Sequence, residues 1–119
     1  MENVVKEKSF QFALRIVKLN EVLADRREYV LGKQLLRSGT AIGALVREGE
    51  HAESKADFIH KMSIALKEAN ETDYWIELLF KSEIIASKEY DSINKDIVEL
   101  IKLLTSIVKT SKERRLDGN

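Results

Sequence analysis

Apolar side chains recur along this chain in steps of three and four, the repeat of a helix that buries one side. Phe12, Ile16, Leu19 and Leu23 form the first stripe, widened by Phe10, Ala13, Leu14 and Val17. Leu31, Leu35, Ile42, Leu45 and Val46 form the second. In the third, Phe58, Met62, Ala65, Ala69, Thr72, Ile76 and Leu79 alternate steps of four and three, flanked by Ile59, Leu66, Trp75 and Leu78. Ile93, Ile97, Leu100, Leu104 and Ile107 form the fourth, beside Val98, Ile101 and Val108. Polar breaks separate the stripes at Asp25 to Glu28, before Ser54, and at Ser87 to Ser92. The pattern predicts helices over about 5–24, 29–51, 55–86 and 88–112, then a frayed polar tail at 113–119.

Local signals support the boundaries. Ser54 with Asp57 three residues on resembles a capping box, and Ser87 or Asp91 is the candidate cap of the fourth helix. Short connections make neighbouring helices antiparallel, and a 3.5-residue repeat favours shallow crossings. The expected fold is therefore all-α, a single up-down-up-down four-helix bundle over residues 1–119. The third and fourth stripes are wider than one small core requires. Trp75, Leu78 and Val98 are thus expected on an exposed apolar surface that a monomer seldom tolerates, and self-association is the inference.

Composition narrows the function classes. Twenty basic and twenty acidic side chains cancel over 119 residues, so the basic excess usual in a nucleic-acid binder is missing from the chain as a whole. Cysteine is absent, which excludes disulfides and thiolate metal sites and fits a cytoplasmic protein. Proline is also absent, as long uninterrupted helices require. The N-terminus shows no signal-peptide pattern. The longest uncharged stretch, between Arg37 and Arg47, falls far short of the roughly 20 residues that span a bilayer. A soluble protein with no membrane contact is expected.

The segment RSGTAIGALVREGE, Arg37 to Glu50, places Gly39, Gly43 and Gly49 in a helical pattern. It matches neither a Walker loop nor a dinucleotide fingerprint. Each helical glycine costs about 1 kcal/mol against alanine. Gly39 and Gly43, four residues apart, are read as a close-packing face toward the third helix or another subunit. Gly49 is assigned to the coming turn. Folding back at about Glu53 puts Arg37 level with Ala69 and brings it against Glu68, Glu71 and Thr72. A partly buried ion-pair network is expected there.

Candidate chemistry is sparse. His51 and His60 are too few for a zinc site, and one Glu-x-x-His match, Glu48 to His51, is half of what a di-iron bundle needs. Lys67, Glu68 and Glu71 suit structural pairing better than acid–base work, since a slim bundle offers little cleft. No cofactor, metal or small-molecule substrate is implied. For nucleic acid the candidate contacts are Arg26, Arg27 and Lys33 near the first turn, and Lys109, Lys112, Arg114 and Arg115 in the tail.

The block from Gln34 to Leu79 also carries a family likeness. Arg37-Ser38, Ile42-Gly43-Ala44, Glu48-Gly49, Ser54-Lys55 with Phe58, and Lys67-Glu68-Ala69 through Glu71-Thr72 to Trp75 stand in matching order and spacing. In this it resembles the proteins encoded in intervening sequences of bacterial 23S ribosomal RNA genes, more loosely over about residues 10–112. That family commonly has asparagine after Ala44, where this chain has Leu45. The resemblance implies an antiparallel four-helix bundle, assembly as a homopentamer and no known enzymatic activity. It also suggests RNA or DNA as a partner, through gene location and through basic bundle relatives that accompany reverse transcriptases. Two readings follow: a non-enzymatic oligomeric scaffold, or a nucleic-acid-binding accessory protein.

Overall fold

The protein is described from a computed structural model covering residues 2–116, with side chains from Val4 onward. Four helices follow one another: α1 (Glu2–Asp25), α2 (Tyr29–Glu50), α3 (Lys55–Lys81) and α4 (Ser87–Leu116). No strand occurs among the described residues. Each helix packs on its chain neighbours, and α4 returns to α1 along a thinner seam, closing an antiparallel four-helix bundle. The rod measures 52 × 21 × 20 Å.

Two of the three turns share one device. Arg27 and Glu83 adopt φ 63° and 65°. Around each, the chain closes a Schellman motif. Glu28 N–H donates to Leu23 O at 2.8 Å and Arg27 N–H to Ala24 O at 2.9 Å. In the second, Ile84 N–H donates to Leu79 O at 2.9 Å and Glu83 N–H to Phe80 O at 3.0 Å. The second motif stops α3 at Lys81, five residues before the end that the pattern predicts. Ile84 and Ile85 extend the apolar run in sequence, but they fold back as a hydrophobic plug. Ile85 is 3% exposed. Left-handed backbone at a non-glycine residue leaves no glycine signal to read.

The helix starts also differ in detail from expectation. Ser54 does accept from Asp57 N–H, at 3.0 Å, but the Asp57 carboxylate takes the N–H of Glu53 rather than that of Ser54. Neither Ser87 nor Asp91 caps α4. Ala86 precedes its first residue, and Glu89 accepts the Ala86 N–H at 3.0 Å. α4 then runs to Leu116, through positions expected to fray. Residues 117–119 of that tail lie outside the described residues.

The core runs the length of the bundle. Phe12, Ile16 and Leu23 meet Leu35 and Ile42, Met62 through Leu79, and Ile97, Leu100 and Leu104. The α3 stripe narrows to Ala65, Ala69 and Thr72 at its middle, all at 0% exposure.

Candidate functional site

Three of the four glycines of α2, Gly32, Gly39 and Gly43, face α1. A Cβ added to Gly39 would lie 2.9 Å from Ile16 Cγ1 and 3.0 Å from its Cγ2. At Gly43 it would lie 3.3 Å from the Ser9 carbonyl oxygen. Gly32 continues the row against Asn20 and Leu23, and the Asn20 side-chain amide donates to Gly32 O at 2.8 Å. The close-packing face expected toward the third helix is thus a contact with the first. Helical spacing shows that glycines share a face, and α2 has a neighbour on each side of its core stripe. Gly49 also faces a neighbour, since an added Cβ would meet the Met62 methyl group and lie 3.6 Å from Lys61 Cβ and Phe58 Cδ1 of α3. The turn after it does not need glycine, because no positive φ occurs there.

Arg37 comes together with the residues expected opposite it on α3. Its guanidinium donates to Glu68 Oε1 at 3.2 Å and to Glu71 Oε2. Trp75 Nε1–H donates to the same Glu71 oxygen at 3.0 Å. Beneath them the Thr72 hydroxyl lies 2.8 Å from both Ser38 Oγ and the Glu68 carbonyl. The arginine side chain is 48% exposed, against 16% and 31% for the two glutamates. The buried part of the cluster is the hydroxyl pair, and the ion pairs form its wet rim. Surface pairs of this kind contribute about 1 kcal/mol or less. Long cation stems carry the guanidinium outward even where the backbone faces the seam.

The apolar surface differs from the one expected. Trp75, Leu78 and Val98 are partly buried within the single chain, and Trp75 packs against the core. The exposed large apolar side chains concentrate on α1. Phe10 (44%), Leu14 (47%) and Val17 (40%) form an i, i+4, i+7 ridge. The Arg47 guanidinium lies 4.9 Å from the Phe10 ring centroid, which places the ridge beside α2. The signal for it is in the sequence: α1 carries more apolar positions than one stripe can bury.

The candidate cations separate. Arg26 donates to Ile84 O at 2.6 Å and pairs with Glu89 at 3.7 Å, so it latches the first turn to the third. Arg27 occupies the left-handed turn position, and Lys33 is exposed. Lys109, Lys112 and Arg115 are exposed on the last turns of α4. Arg114 instead lines an end cleft of about 190 Å³ with Val5, Val46, Phe58, Met62 and Glu50. The Glu50 carboxylate is taken by Lys6 at 3.1 Å. Among the described residues no group of three His, Asp or Glu side chains could hold a metal ion. None of the described helices is long and apolar enough to cross a membrane.

Asp73, partly buried on α3, has no hydrogen-bond or ion-pair partner among the described residues. Burial, and secondarily the Glu77 charge one turn on, raise its pKa above the ordinary carboxylate value. The folded chain therefore holds this proton more tightly than the unfolded chain. Stability is lost as pH rises through the ordinary value toward the folded one. Asp73→Asn is expected to raise Tm at neutral pH by about 1–3 °C, a small gain because water screens the carboxylate. The gain should vanish below the carboxylate range. Thermal melts at neutral and strongly acidic pH check this, and equal stabilisation at both would assign the effect to something other than charge.

The comparisons with known proteins agree with this architecture. A family model described as 23S rRNA-intervening sequence protein matches residues 1–106. A crystal structure of a protein of unknown function from the S23 ribosomal protein family of Bacteroides thetaiotaomicron is similar at a TM-score of 0.88 and 57% identity. The match covers 91% of this chain and 97% of that one. No curated protein matches.

Proposed function

This chain belongs to the 23S rRNA-intervening sequence protein family, and from that premise we propose that it is a non-enzymatic, homo-oligomeric interaction protein acting through its assembled surface. A homopentamer is the form that the resemblance implies, and the absence of cysteine fits a cytoplasmic location. The observation that carries the reading is the α1 ridge. Phe10, Leu14 and Val17 stand together at 40–47% exposure on one helix face. Full burial of such side chains contributes about 1.5–3 kcal/mol each, and roughly half of that remains unrealised in the single chain.

Light scattering coupled to gel filtration tests assembly. The wild-type mass is expected at several times the 13.6 kDa chain mass, five times for the pentamer. Leu14→Glu places a charge in the middle of the ridge without touching the core. It should return the mass to 13.6 kDa with the helix content unchanged. A wild-type monomer at micromolar concentration would overturn the proposal.

A further inference from the structure

The outer face of α4 carries a row of lysines one heptad apart: Lys88, Lys95, Lys102 and Lys109, with Lys112 beside the last. Seven residues advance a helix by about 10.5 Å and turn it back by only about 20°, so four such positions form one line roughly 32 Å long. All five lysines are exposed. None takes part in an ion pair among the described residues.

The acids of α4 explain why. Glu89 pairs with Arg26, Asp96 with Arg15, and Glu99 with Lys8 at 3.1 Å. The Arg15 guanidinium also donates to Ser92 Oγ at 2.8 Å. Two cations of α1 and one of the turn after it thus hold three of the five α4 acids, leaving Asp91 and Glu113 unpaired among the described residues. Asp91, one turn from Lys88 and Lys95, and Glu113, one turn from Lys109, share this face. Five lysines against two acids leave it net positive, although the formal charges of the whole chain cancel.

We propose that this line is a docking surface for the phosphodiester backbone of a double-stranded nucleic acid. Its length matches about nine base pairs of duplex at 3.4 Å each. Lysine ammonium groups are compact point charges on flexible stems, suited to phosphates without base reading. A single strand is a poorer fit, because it requires aromatic platforms for stacking. The one aromatic of α4, Tyr90, is stacked on Phe80 with ring centroids 4.2 Å apart. A membrane surface is a poorer fit too, because an interfacial helix inserts an apolar face, and the apolar face of α4 is spent in the core. The line lies within one chain, so the proposal goes beyond the assembly reading and does not depend on it.

The experiment is a fluorescence-anisotropy titration of the whole protein with a mixed-sequence DNA duplex of about 20 base pairs, longer than the line. Affinity is expected to fall roughly 150- to 500-fold between 50 and 200 mM monovalent salt, for four to five phosphate contacts. The triple variant Lys95→Gln/Lys102→Gln/Lys109→Gln should flatten the logarithmic salt slope by about 0.9 per lysine removed. Lys55→Gln/Lys67→Gln/Lys81→Gln removes the same charge from other exposed positions and should leave the slope unchanged. Circular dichroism verifies that both triples fold. Equal losses in the two triples would reduce the effect to net charge and overturn the proposal. So would no binding to the duplex, tighter binding to a single strand of the same length, or binding confined to anionic lipid vesicles.

Discussion

Gly39→Leu is expected to leave the chain without a cooperatively folded bundle. The side chain would grow from a Cα facing Ile16, where even a Cβ comes within 2.9 Å of one carbon and 3.0 Å of another. Ile16 has no room to yield, since it is 0% exposed and its β-branch restricts it to few rotamers. Alanine at the same position separates the opposing terms. It gains about 1 kcal/mol of helix propensity and loses about 1–3 kcal/mol to overpacking, so a moderate net loss is expected. Leucine adds three further carbons with nowhere to go. A domain of this size is stable by only about 5–15 kcal/mol in total, and forcing α1 off α2 breaks a seam that runs much of the rod. Far-UV circular dichroism and thermal melts provide the measurement. A cooperative melt within a few degrees of wild type would show that the seam is not tight. A second check uses Ile16→Ala, which removes both nearby carbons. Combined with Gly39→Ala, it should prove less damaging than the sum of the single variants, whereas additivity would disconnect the two residues.

The second large effect contrasts two phenylalanines on α1. Phe12 is 2% exposed in the core, and Phe10, two residues earlier, is 44% exposed on the ridge. Phe12→Ala is expected to cost about 3–5 kcal/mol, from lost transfer energy and from a cavity that the surrounding helices cannot close. Phe10→Ala should cost under about 1 kcal/mol in the single chain, mostly the contact with Arg47. Under the proposed assembly, its larger consequence is a loss of mass in light scattering. Urea midpoints measured on the single chain separate the two variants. Similar destabilisation by both would mean that α1 does not sit in the bundle with this rotation.

The elements that sequence reveals best are those whose cause is local. The α3 stripe from Phe58 to Leu79 is an uninterrupted heptad pattern, and it forms one helix. The meeting of Arg37 with Glu68 and Glu71 is legible because a short turn near Glu53 leaves an antiparallel pair little freedom of register. The end of α3 is less legible. Ile84 and Ile85 look like helix continuing, and the turn that stops it is built from Ser82 and Glu83 rather than glycine. The partner of Gly39 and Gly43 is not legible at all. Periodicity fixes which residues share a face, but two neighbours flank α2, and only packing decides which one the small residues admit. For the same reason Trp75, Leu78 and Val98 read as exposed surface, although each is partly covered within the single chain.

The amino-acid sequence by itself determined four amphipathic helices, their antiparallel order and the cross-strut at Arg37, because these follow from spacing along the chain and short connections. Charge distribution was decided only in three dimensions. The sequence is neutral, and its α4 lysines share the helix with Glu89, Asp91, Asp96, Glu99 and Glu113. Folding brings Lys8, Arg15 and Arg26, each more than sixty residues away in sequence, against Glu99, Asp96 and Glu89. Charges pair with whatever lies within a few ångströms, and the packing of α1 on α4 sets those distances. Three of the five α4 acids are thereby held by these cations, and the lysines left facing outward in a line outnumber Asp91 and Glu113 beside them.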